Sequence, residues 1–410
     1  MLKKDTPRNI INVIKDLEEI IITQSGADVF SEIFKLIYAK LIDELNCQKV
    51  GYAKKFKLSE NYYADIVRLF EKATDRWPNV FATQEKFNIN SVCLESSVRI
   101  LENINLLDFS LENITQAFEY ILPEVAKKKR GQYFTPEYVI EFMVKILNPQ
   151  ANELIIDPAC GSGGYLINTI NYISKNADVK FRQKDLYGID IDDKSAKIAE
   201  AIKIIAGDKY DYNLKKLDAI GHPFWENFGL KRHAFDCVLT NPPFAGDVTD
   251  QEVLRVYELA KNEAGKIRER MDRHILFLER IFDLLKPGGR AAVILPQGIL
   301  NNRNMAGVRN YLLTNAKVEA VISLDRNIFR PYTDTKTSII FFKRWVAMED
   351  RRDDYTVFMA ISEKSGKDRL GETIYKRDEH GNILKNEAGK FIVDHDLDLI
   401  ADEYLKNANI

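Results

Sequence analysis

The tetrapeptide Asn241-Pro242-Pro243-Phe244 has the residue types needed to act on an amino group attached to an aromatic ring. It follows the apolar run 235–240, which predicts a strand, and two successive prolines end that strand and stiffen the backbone. We expect the Asn241 side-chain oxygen and the Pro242 carbonyl to accept both hydrogens of such an amine, which makes its nitrogen nucleophilic. The Phe244 ring offers a face on which a base can stack. The alternative is a proline-terminated strand with a phenylalanine in the core.

A glycine-rich segment follows the apolar run 153–156 and opens a predicted helix. It reads Asp157-Pro158-Ala159-Cys160-Gly161-Ser162-Gly163-Gly164. Glycines let the backbone approach a ligand, and a helix N-terminus offers unpaired N–H groups. The segment differs from the dinucleotide fingerprint, because Leu166 holds the third glycine position, and no Gly-Lys-Ser or Gly-Lys-Thr of a phosphate loop follows. A carboxylate four residues before the first glycine suits a ligand with a cationic amino-acid end. Together with the next motif it predicts an S-adenosylmethionine site, although a bare glycine-rich turn is the alternative.

Two further carboxylates end predicted strands. Asp190 closes Tyr187-Gly188-Ile189-Asp190, where it can accept hydrogen bonds from both ribose hydroxyls of a nucleoside. The neighbouring Asp192 and Asp193 fit the start or cap of a solvated helix equally well. Asp218 ends the third strand and can accept from the adenine amino group of the cofactor, but an acid in a surface turn is the alternative.

These motifs all fall at the ends of short β-branched runs that alternate with helical stretches between residues 131 and 345. Such alternation predicts an α/β fold, a mostly parallel Rossmann-like methyltransferase sheet that binds ligands outside the carboxyl ends of its strands. Periodic apolar residues over 9–24, 32–45, 60–73 and 112–121 predict a helical N-terminal domain over 1–130. Turn signals at 381–382 and 387–389 predict a hairpin-rich C-terminal extension over 346–410, with a short helix at 397–406. The catalytic domain is accordingly expected over 131–345.

The composition of the chain is that of an ordinary globular protein. The 410 residues are 45% hydrophobic and 29% charged, which excludes a wholly disordered chain or a coiled-coil rod. The net charge of −2 does not by itself indicate a nucleic-acid partner. Four scattered cysteines and five dispersed histidines predict neither disulfides nor a metal site. We see no secretory signal and no apolar run long enough to span a bilayer, so we expect a cytoplasmic protein.

The order of the three motifs resembles that of an amino-group DNA methyltransferase. Gly131-Gln132-Tyr133-Phe134-Thr135-Pro136 precedes the glycine-rich segment, and Leu284–Gly289 and Ala292–Leu300 follow the Asn-Pro-Pro-Phe segment. With the long helical region ahead of them, these motifs are similar to the modification subunits of type I restriction–modification systems, which are N6-adenine DNA methyltransferases. The resemblance covers most of residues 110–365, although modification subunits are expected to continue well past residue 410.

The resemblance implies a role for each matched residue. Tyr133, Phe134 and Thr135 would lie against the methionine part of the cofactor, and Asn241, Pro242 and Phe244 would hold the target base. The remaining cofactor contacts would come from Asp157, Gly161, Gly163, Asp190 and Asp218. A second aromatic residue, from the strand that holds Thr337-Ser338-Ile339-Ile340-Phe341-Phe342, would stack on the other face of the base. Strand parity favours Phe342, and core packing of both phenylalanines is the alternative.

The resemblance also implies a reaction and partners. The reaction is methyl transfer from S-adenosylmethionine to adenine N6 in double-stranded DNA, with the base flipped out of the duplex. The partners are a DNA specificity subunit bound by two copies of this chain and, in some systems, a motor–nuclease restriction subunit. The basic run Lys127–Arg130 could contact the DNA backbone. The stretch 245–273 is expected to be a mobile loop that orders over the target strand, or else one solvated helix.

Several other functions use similar chemistry. A solitary or fused-system DNA adenine methyltransferase has the same motifs, and RNA guanine or protein glutamine methylation uses related Asn-Pro-Pro-Phe chemistry in shorter chains. N4-cytosine methylation more often has Ser at the position of Asn241. A further alternative is a protein that binds the cofactor without catalysis and serves as a scaffold for a restriction complex. No Pro-Cys nucleophile motif is present, which argues against carbon-5 cytosine methylation.

Overall fold

The computed structural model describes residues 10–49, 51–78, 80–81, 85–109, 111–121, 134–177, 181–207, 210–387 and 389–407. The chain forms two compact units, residues 1–123 with 197–210 and residues 124–196 with 211–410. The predicted domain boundary at residue 130 lies outside the described residues. In the part of the chain that is described, no helix is long and apolar enough to cross a membrane.

The first unit is helical, as the periodicity predicts. Its N-terminal segment contains α1 (Ile10–Gln24), α2 (Val29–Cys47), α3 (Tyr62–Arg76), α4 (Ser91–Leu101) and α5 (Leu111–Ile121). Helix α4 is not among the helices that the apolar periodicity predicts; its N-cap residue Asn90 accepts a hydrogen bond from the Cys93 N–H at 2.8 Å. Such a cap satisfies a backbone donor that has no partner within the helix.

Helix α2 is more deeply buried than its single apolar face predicts, because its acidic side chains bind loop backbones. Asp43 accepts from the N–H groups of Lys55 and Phe56, and Glu44 accepts from those of Leu106 and Leu107. Buried carboxylates are tolerated when hydrogen bonds replace their lost hydration. These polar residues therefore fasten the connecting segments of the unit to its central helix.

The second unit is built around an eight-stranded sheet with the order β3-β2-β1-β4-β7-β9-β8-β10. All neighbouring strands are parallel except β9, which is antiparallel to both β7 and β8. The strands are β1 (Ile155–Asp157), β2 (Leu186–Asp190), β3 (Asn213–Lys216), β4 (Phe235–Thr240), β7 (Leu285–Pro296), β8 (Ala316–Ser323), β9 (Thr337–Arg344) and β10 (Phe358–Ile361). The predicted α/β fold with a mostly parallel sheet and N-terminal helices is confirmed.

Helices follow the strands in the predicted alternation. They are α6 (Glu137–Leu147), α7 (Gly164–Asn176), α8 (Asp193–Ile205), α9 (Phe224–Phe228), α10 (Gln251–Arg255), α11 (Arg273–Leu284), α12 (Gly298–Asn301), α13 (Ala306–Asn315) and α14 (Leu397–Asn407). Strand order reverses between β1 and β4, which pair in parallel. At such a reversal the carboxyl ends of adjacent strands open a crevice, and this crevice is where ligands bind in sheets of this type.

The predicted hairpin-rich C-terminal extension, residues 346–410, contributes a strand to the sheet. Strand β10 pairs in parallel with β8, residues Phe358–Ile361 lying beside Ala320–Ser323. The predicted hairpins are present as a series of antiparallel bridges between residues 365 and 395, and the predicted terminal helix is α14. Tyr138 of α6 stacks on His395, with ring centroids 4.7 Å apart. The last 65 residues therefore belong to the unit that contains the sheet.

Candidate active site

The glycine loop, residues 157–164, connects the end of β1 to the start of α7. Gly161 and Gly163 have φ angles of +52° and +86°, a region in which residues with a Cβ are strained. The Gly163 N–H donates to the Cys160 carbonyl at 2.8 Å, and the Cys160 N–H donates to Ile189 of β2 at 2.9 Å. A Cβ added at Gly161 would meet open space, so the backbone here is accessible to a ligand.

Asp157 lies at the last position of β1 with only 1% of its surface exposed. One carboxylate oxygen accepts from the Ala159 N–H at 3.0 Å, while the buried Oδ2 has no hydrogen-bond partner among the described residues. Burial raises the pKa of Asp157 to about 7, and the charge of Asp190 adds to this increase. The nearby Thr240 hydroxyl, which does not reach normal hydrogen-bond geometry, and the Ala159 N–H favour the ionised form and offset part of the effect. A buried carboxylate with an unpaired oxygen can attract and bind a cationic group of a ligand.

Asp190 ends β2 next to the glycine loop. Its oxygens accept hydrogen bonds from the N–H groups of Gly161 and Asp192, both at 2.8 Å. Burial raises its pKa to about 6, although these backbone donors favour the ionised form. Asp218 follows β3 and accepts from the Ile220 N–H at 3.1 Å. Both acids therefore lie at the carboxyl edge of the sheet, where the sequence analysis had predicted them.

Asn241 follows β4 directly, beside the carboxyl end of β1. Its Nδ2 donates to the Thr135 hydroxyl at 3.0 Å, and its Oδ1 is buried without a hydrogen-bond partner among the described residues. An unpaired buried acceptor costs about 1–3 kcal/mol, so its presence indicates a site that a donor is meant to fill. The acceptor role predicted for Asn241 is therefore consistent with its geometry.

The Phe244 ring packs edge-on against Phe329, with centroids 5.4 Å apart and planes at 79°. Its backbone is held by the His274 side chain, whose pKa burial lowers. Phe329 lies between β8 and β9 and was not among the predicted site residues. Its position could not be found from spacing, because no recognisable motif surrounds it.

Phe342, the residue predicted to stack on the second face of the base, packs in the core of the sheet unit. It is fully buried in the core, where its ring stacks on Phe282 of α11 at 5.1 Å. Phe341 points to the other face of the sheet and packs against Phe142 of α6 at 6.1 Å. Helices therefore cover both rings, which agrees with the alternative that both phenylalanines pack in the core.

The residues before the glycine loop are only partly described. Phe134 and Thr135 are half-buried, whereas Tyr133 and the basic run Lys127–Arg130 lie outside the described residues. Thr135 contacts Asn241 across a separation of 106 residues. The sequence predicts only a cofactor contact for Thr135, and no periodic signal in the chain indicates its hydrogen bond to Asn241.

The stretch 245–273 is neither one solvated helix nor a loop without structure. Strands β5 (Asp247–Val248) and β6 (Met271–Asp272) pair in antiparallel fashion and enclose α10. Tyr257 is buried and donates to the Ile220 carbonyl at 2.9 Å, while Glu279 of α11 accepts from the N–H groups of Glu258 and Leu259. These contacts anchor the stretch to the sheet unit.

We expect hydrogen exchange in this stretch to divide into two parts in the absence of DNA. Amides near the buried Leu254 and Tyr257 should exchange at least about tenfold more slowly than those at the exposed turn 263–266, because burial and hydrogen bonds suppress local opening. Mass spectrometry of exchange with and without duplex DNA measures both parts. Uniformly fast exchange that DNA alone slows would restore the mobile-loop prediction.

The strand order, the glycine loop after β1 and the Asn-Pro-Pro-Phe segment after β4 define the fold of class I S-adenosylmethionine-dependent methyltransferases. Within that class the match is more specific. Residues 110–408 match the model of the N-6 DNA methylase family, and the chain belongs to this family. The resemblance to type I modification subunits that the motifs indicated is confirmed.

The chain is 24% identical over 384 residues to the methylase subunit of the type I restriction enzyme EcoEI from Escherichia coli, an alignment covering 82% of this chain and 75% of the relative. It spans about half the length of several other curated type I methylase subunits. Among solved structures, the methyltransferase subunit of a type I restriction–modification system from Streptococcus thermophilus matches with a TM-score of 0.63 and 16% identity, over 98% of this chain and 94% of that one. A protein from Listeria monocytogenes, described as a class I S-adenosylmethionine-dependent methyltransferase, matches with a TM-score of 0.58 and 19% identity, over 87% and 92%.

Proposed function

We propose that this protein transfers a methyl group from S-adenosylmethionine to N6 of adenine in DNA, as the modification subunit of a type I-like restriction–modification system. The observation that carries the proposal is the buried and unpaired Oδ1 of Asn241, at the end of β4 and held by the prolines that follow it. An acceptor in this state suits the exocyclic amine of a base that has left the duplex. The family match supports DNA as the substrate.

The residues at the carboxyl edge of the sheet fit S-adenosylmethionine. The orphaned Oδ2 of Asp157 suits its ammonium group, and the open space beside Gly161 admits a ligand against the backbone. In this proposal Asp190 accepts from the ribose hydroxyls of the cofactor, and Asp218 accepts from its adenine amino group. When bound, the cofactor supplies an electrophilic methyl group on a sulfonium centre.

The protein's own residues position the target amine. Asn241 Oδ1 and the Pro242 carbonyl accept its two hydrogens, which concentrates the lone pair on nitrogen for attack. Most of the acceleration then comes from alignment and fixed dipoles, and no strong general base is required, because the proton leaves to a carbonyl oxygen or to water. Phe244 stacks on the base, and its ring is supported from the side by the edge-on Phe329.

The proposed partners are duplex DNA, a specificity subunit and a second copy of this chain. A net charge of −2 provides little electrostatic attraction to DNA, and phosphate contacts supply most non-specific affinity. We therefore propose that two copies act with one specificity protein, each copy modifying one adenine. A restriction subunit with motor and nuclease activities is a further partner of the type that the resemblance implies.

The test is transfer of labelled methyl groups to DNA, RNA and protein, followed by nucleoside analysis, with and without a specificity subunit. We expect labelled N6-methyladenine in duplex DNA, and much more of it when the specificity subunit is present. Label in RNA, in protein or in N4-methylcytosine would contradict the substrate. Efficient site-specific methylation by the isolated chain would instead identify a solitary DNA methyltransferase.

Replacing Asp190 with alanine is expected to weaken S-adenosylmethionine binding about tenfold or more, because hydrogen bonds to a charged acceptor contribute about 1.5–3 kcal/mol each. The substitution also removes the acceptor for the Gly161 N–H and loosens the glycine loop. Calorimetry measures the affinity. Asp193→Ala is the matched control, since Asp193 is half exposed and pairs with Lys216; equal affinities for the two variants would remove the ribose role from Asp190.

A further inference from the structure

The first residue of α11, Arg273, carries a positive charge where the fold does not favour one. The N-terminus of a helix is the positive end of its dipole, so a cation there is destabilising. Arg273 is half-buried and forms no ion pair with a described residue, whereas the exposed Arg270 pairs with Asp247 at 3.3 Å. An unpaired charge in a partly buried position is costly, and a bound anion would offset that cost.

The backbone next to Arg273 leaves room for its side chain. Gly246 has a φ angle of +103°, and a Cβ at this position would lie 3.3 Å from Cδ and 3.4 Å from Nε of Arg273. The Arg273 N–H donates to the Gly246 carbonyl at 3.0 Å, and the pairing of β5 with β6 places Asp247 opposite Asp272. The stem of the arginine therefore packs on the backbone of Gly246, where a larger residue would displace it.

This contact places a cation close to the proposed base site. Gly246 is two residues past Phe244, so their Cα atoms are at most about 7 Å apart. In the proposed function the Phe244 ring stacks on the flipped adenine, and the sugar joins that base to the phosphates on either side of it. A guanidinium group binds phosphate oxygens through two parallel hydrogen bonds, which suits Arg273 to such a phosphate.

The surrounding stretch favours DNA over a small anion. Residues 261–273 contain five basic and three acidic residues, a net charge of +2 in a chain whose net charge is −2. Lys261 and Lys266 belong to an exposed hairpin, in which the Asn262 side chain accepts from the N–H groups of Ala264 and Lys266. Neither lysine forms an ion pair with a described residue. An extended positive surface of this kind matches the polyanionic backbone of DNA.

We propose that Arg273 binds a backbone phosphate next to the target adenine and so holds the flipped nucleotide against Phe244. The inference rests on the proposed function and adds a DNA contact outside the Asn-Pro-Pro-Phe segment. A phosphate contact fixes the position of the strand but reads no base. Its loss should therefore slow methylation without changing which site is methylated.

The experiment compares Arg273→Ala and Arg273→Lys with the parent, in the complex with the specificity subunit and on a duplex that contains its site. We expect Arg273→Ala to lower kcat/KM for DNA about tenfold or more, with the cofactor Kd within about twofold of the parent. The slope of log Kd for DNA against log salt concentration should become shallower by about one, the value for one lost phosphate contact. Arg273→Lys keeps the charge but loses the two parallel bonds, so it should recover the slope and only part of the rate.

Arg270→Ala is the matched control, because it removes the same charge from the same stretch but one that Asp247 already neutralises. Its salt slope and its kcat/KM should stay close to those of the parent. Arg273→Ala should also leave Tm unchanged or slightly higher, since the arginine opposes the helix dipole. A lower Tm together with an unchanged salt slope would show that Arg273 is only structural.

A second measurement tests the contact from the side of the DNA. A methylphosphonate linkage removes the charge of one phosphate, and it is placed in turn on the 5′ and the 3′ side of the target adenine. One of the two linkages should lower kcat/KM of the parent about as much as Arg273→Ala does, and it should cause little further loss in that variant, as expected for two partners of one contact. The proposal is wrong if neither linkage affects the parent, or if both affect Arg273→Ala as strongly as the parent.

Failure of the proposed function gives a different result. If the parent complex binds DNA but transfers no methyl group to it, the function is wrong, and the salt slopes still test the phosphate contact. If the parent methylates adenine and Arg273→Ala does so equally well with the same salt slope, the function stands and the inference about Arg273 fails.

Discussion

Replacing Asn241 with alanine should lower the rate of methyl transfer to DNA at least a hundredfold while leaving S-adenosylmethionine binding nearly unchanged. The Oδ1 atom of Asn241 has no partner among the described residues, so in our proposal it acts only on the target amine. Loss of one preorganised acceptor at the reacting centre costs roughly 3 kcal/mol or more, which corresponds to a factor of about one hundred or greater in rate.

The measurement is single-turnover transfer of labelled methyl groups in the complex with the specificity subunit, together with calorimetry of the cofactor. Asn241→Asp is the informative companion variant, because it keeps an acceptor oxygen at the same position while it replaces the donor to Thr135 with a charged acceptor. We expect its rate to lie between those of the parent and of Asn241→Ala. A turnover of Asn241→Ala within threefold of the parent would sink the assignment of Asn241 as the catalytic acceptor.

The location of the site could be predicted from the sequence because it depends on local rules. Asp157, Asp190 and Asn241 each follow an apolar run, and the carboxyl ends of parallel strands meet at one edge of a sheet. Positive φ angles at Gly161 and Gly163 likewise follow from glycine itself. These features can be predicted without knowing which helix packs on which strand.

The sequence does not indicate those features of the site and the sheet that depend on packing between residues far apart in the chain. Strand parity separates the faces of Phe341 and Phe342, but helices cover both faces of the sheet, so parity could not indicate a ring open to a base. The hydrogen bond from Asn241 to Thr135 joins residues 106 positions apart, and the contact of Phe244 with Phe329 joins residues 85 positions apart. Strand β10 has only four residues, two of them exposed, and its pairing with β8 leaves no periodic signal of its own.

Cofactor binding should depend strongly on pH through Asp157. Its pKa in the folded protein is raised to about 7, mainly by burial, whereas an unfolded aspartate titrates near 4. The neutral form is therefore favoured in the fold, and the stability that this provides is fully present below about pH 4 and is lost as the pH rises through about 7. A cationic ligand has the opposite preference, since it attracts the ionised carboxylate.

We accordingly expect S-adenosylmethionine affinity to rise by about 25-fold between pH 5.5 and 7.5 from Asp157 alone, which is the increase in the ionised fraction of a group with a pKa of about 7. Adenosine lacks the amino-acid end, so its affinity should depend only on the ionisation of Asp190. The pKa of Asp190 is about 6, so the affinity for adenosine should change about fourfold over the same pH range. Calorimetric titration of both ligands at matched ionic strength makes the comparison.

The variant Asp157→Asn distinguishes this titration from a general effect of pH on the fold. Asparagine keeps the shape of the side chain and an acceptor for the Ala159 N–H, but it has no charge to gain. S-adenosylmethionine should bind this variant more weakly than it binds the parent at pH 7.5, with the pH dependence reduced to that of adenosine. Among the described residues, Asp157 has a buried carboxylate oxygen without a hydrogen-bond partner, which is why we assign the ammonium group of the cofactor to it. If the affinity of Asp157→Asn still depends steeply on pH, the negative charge that binds the ammonium group belongs to another residue.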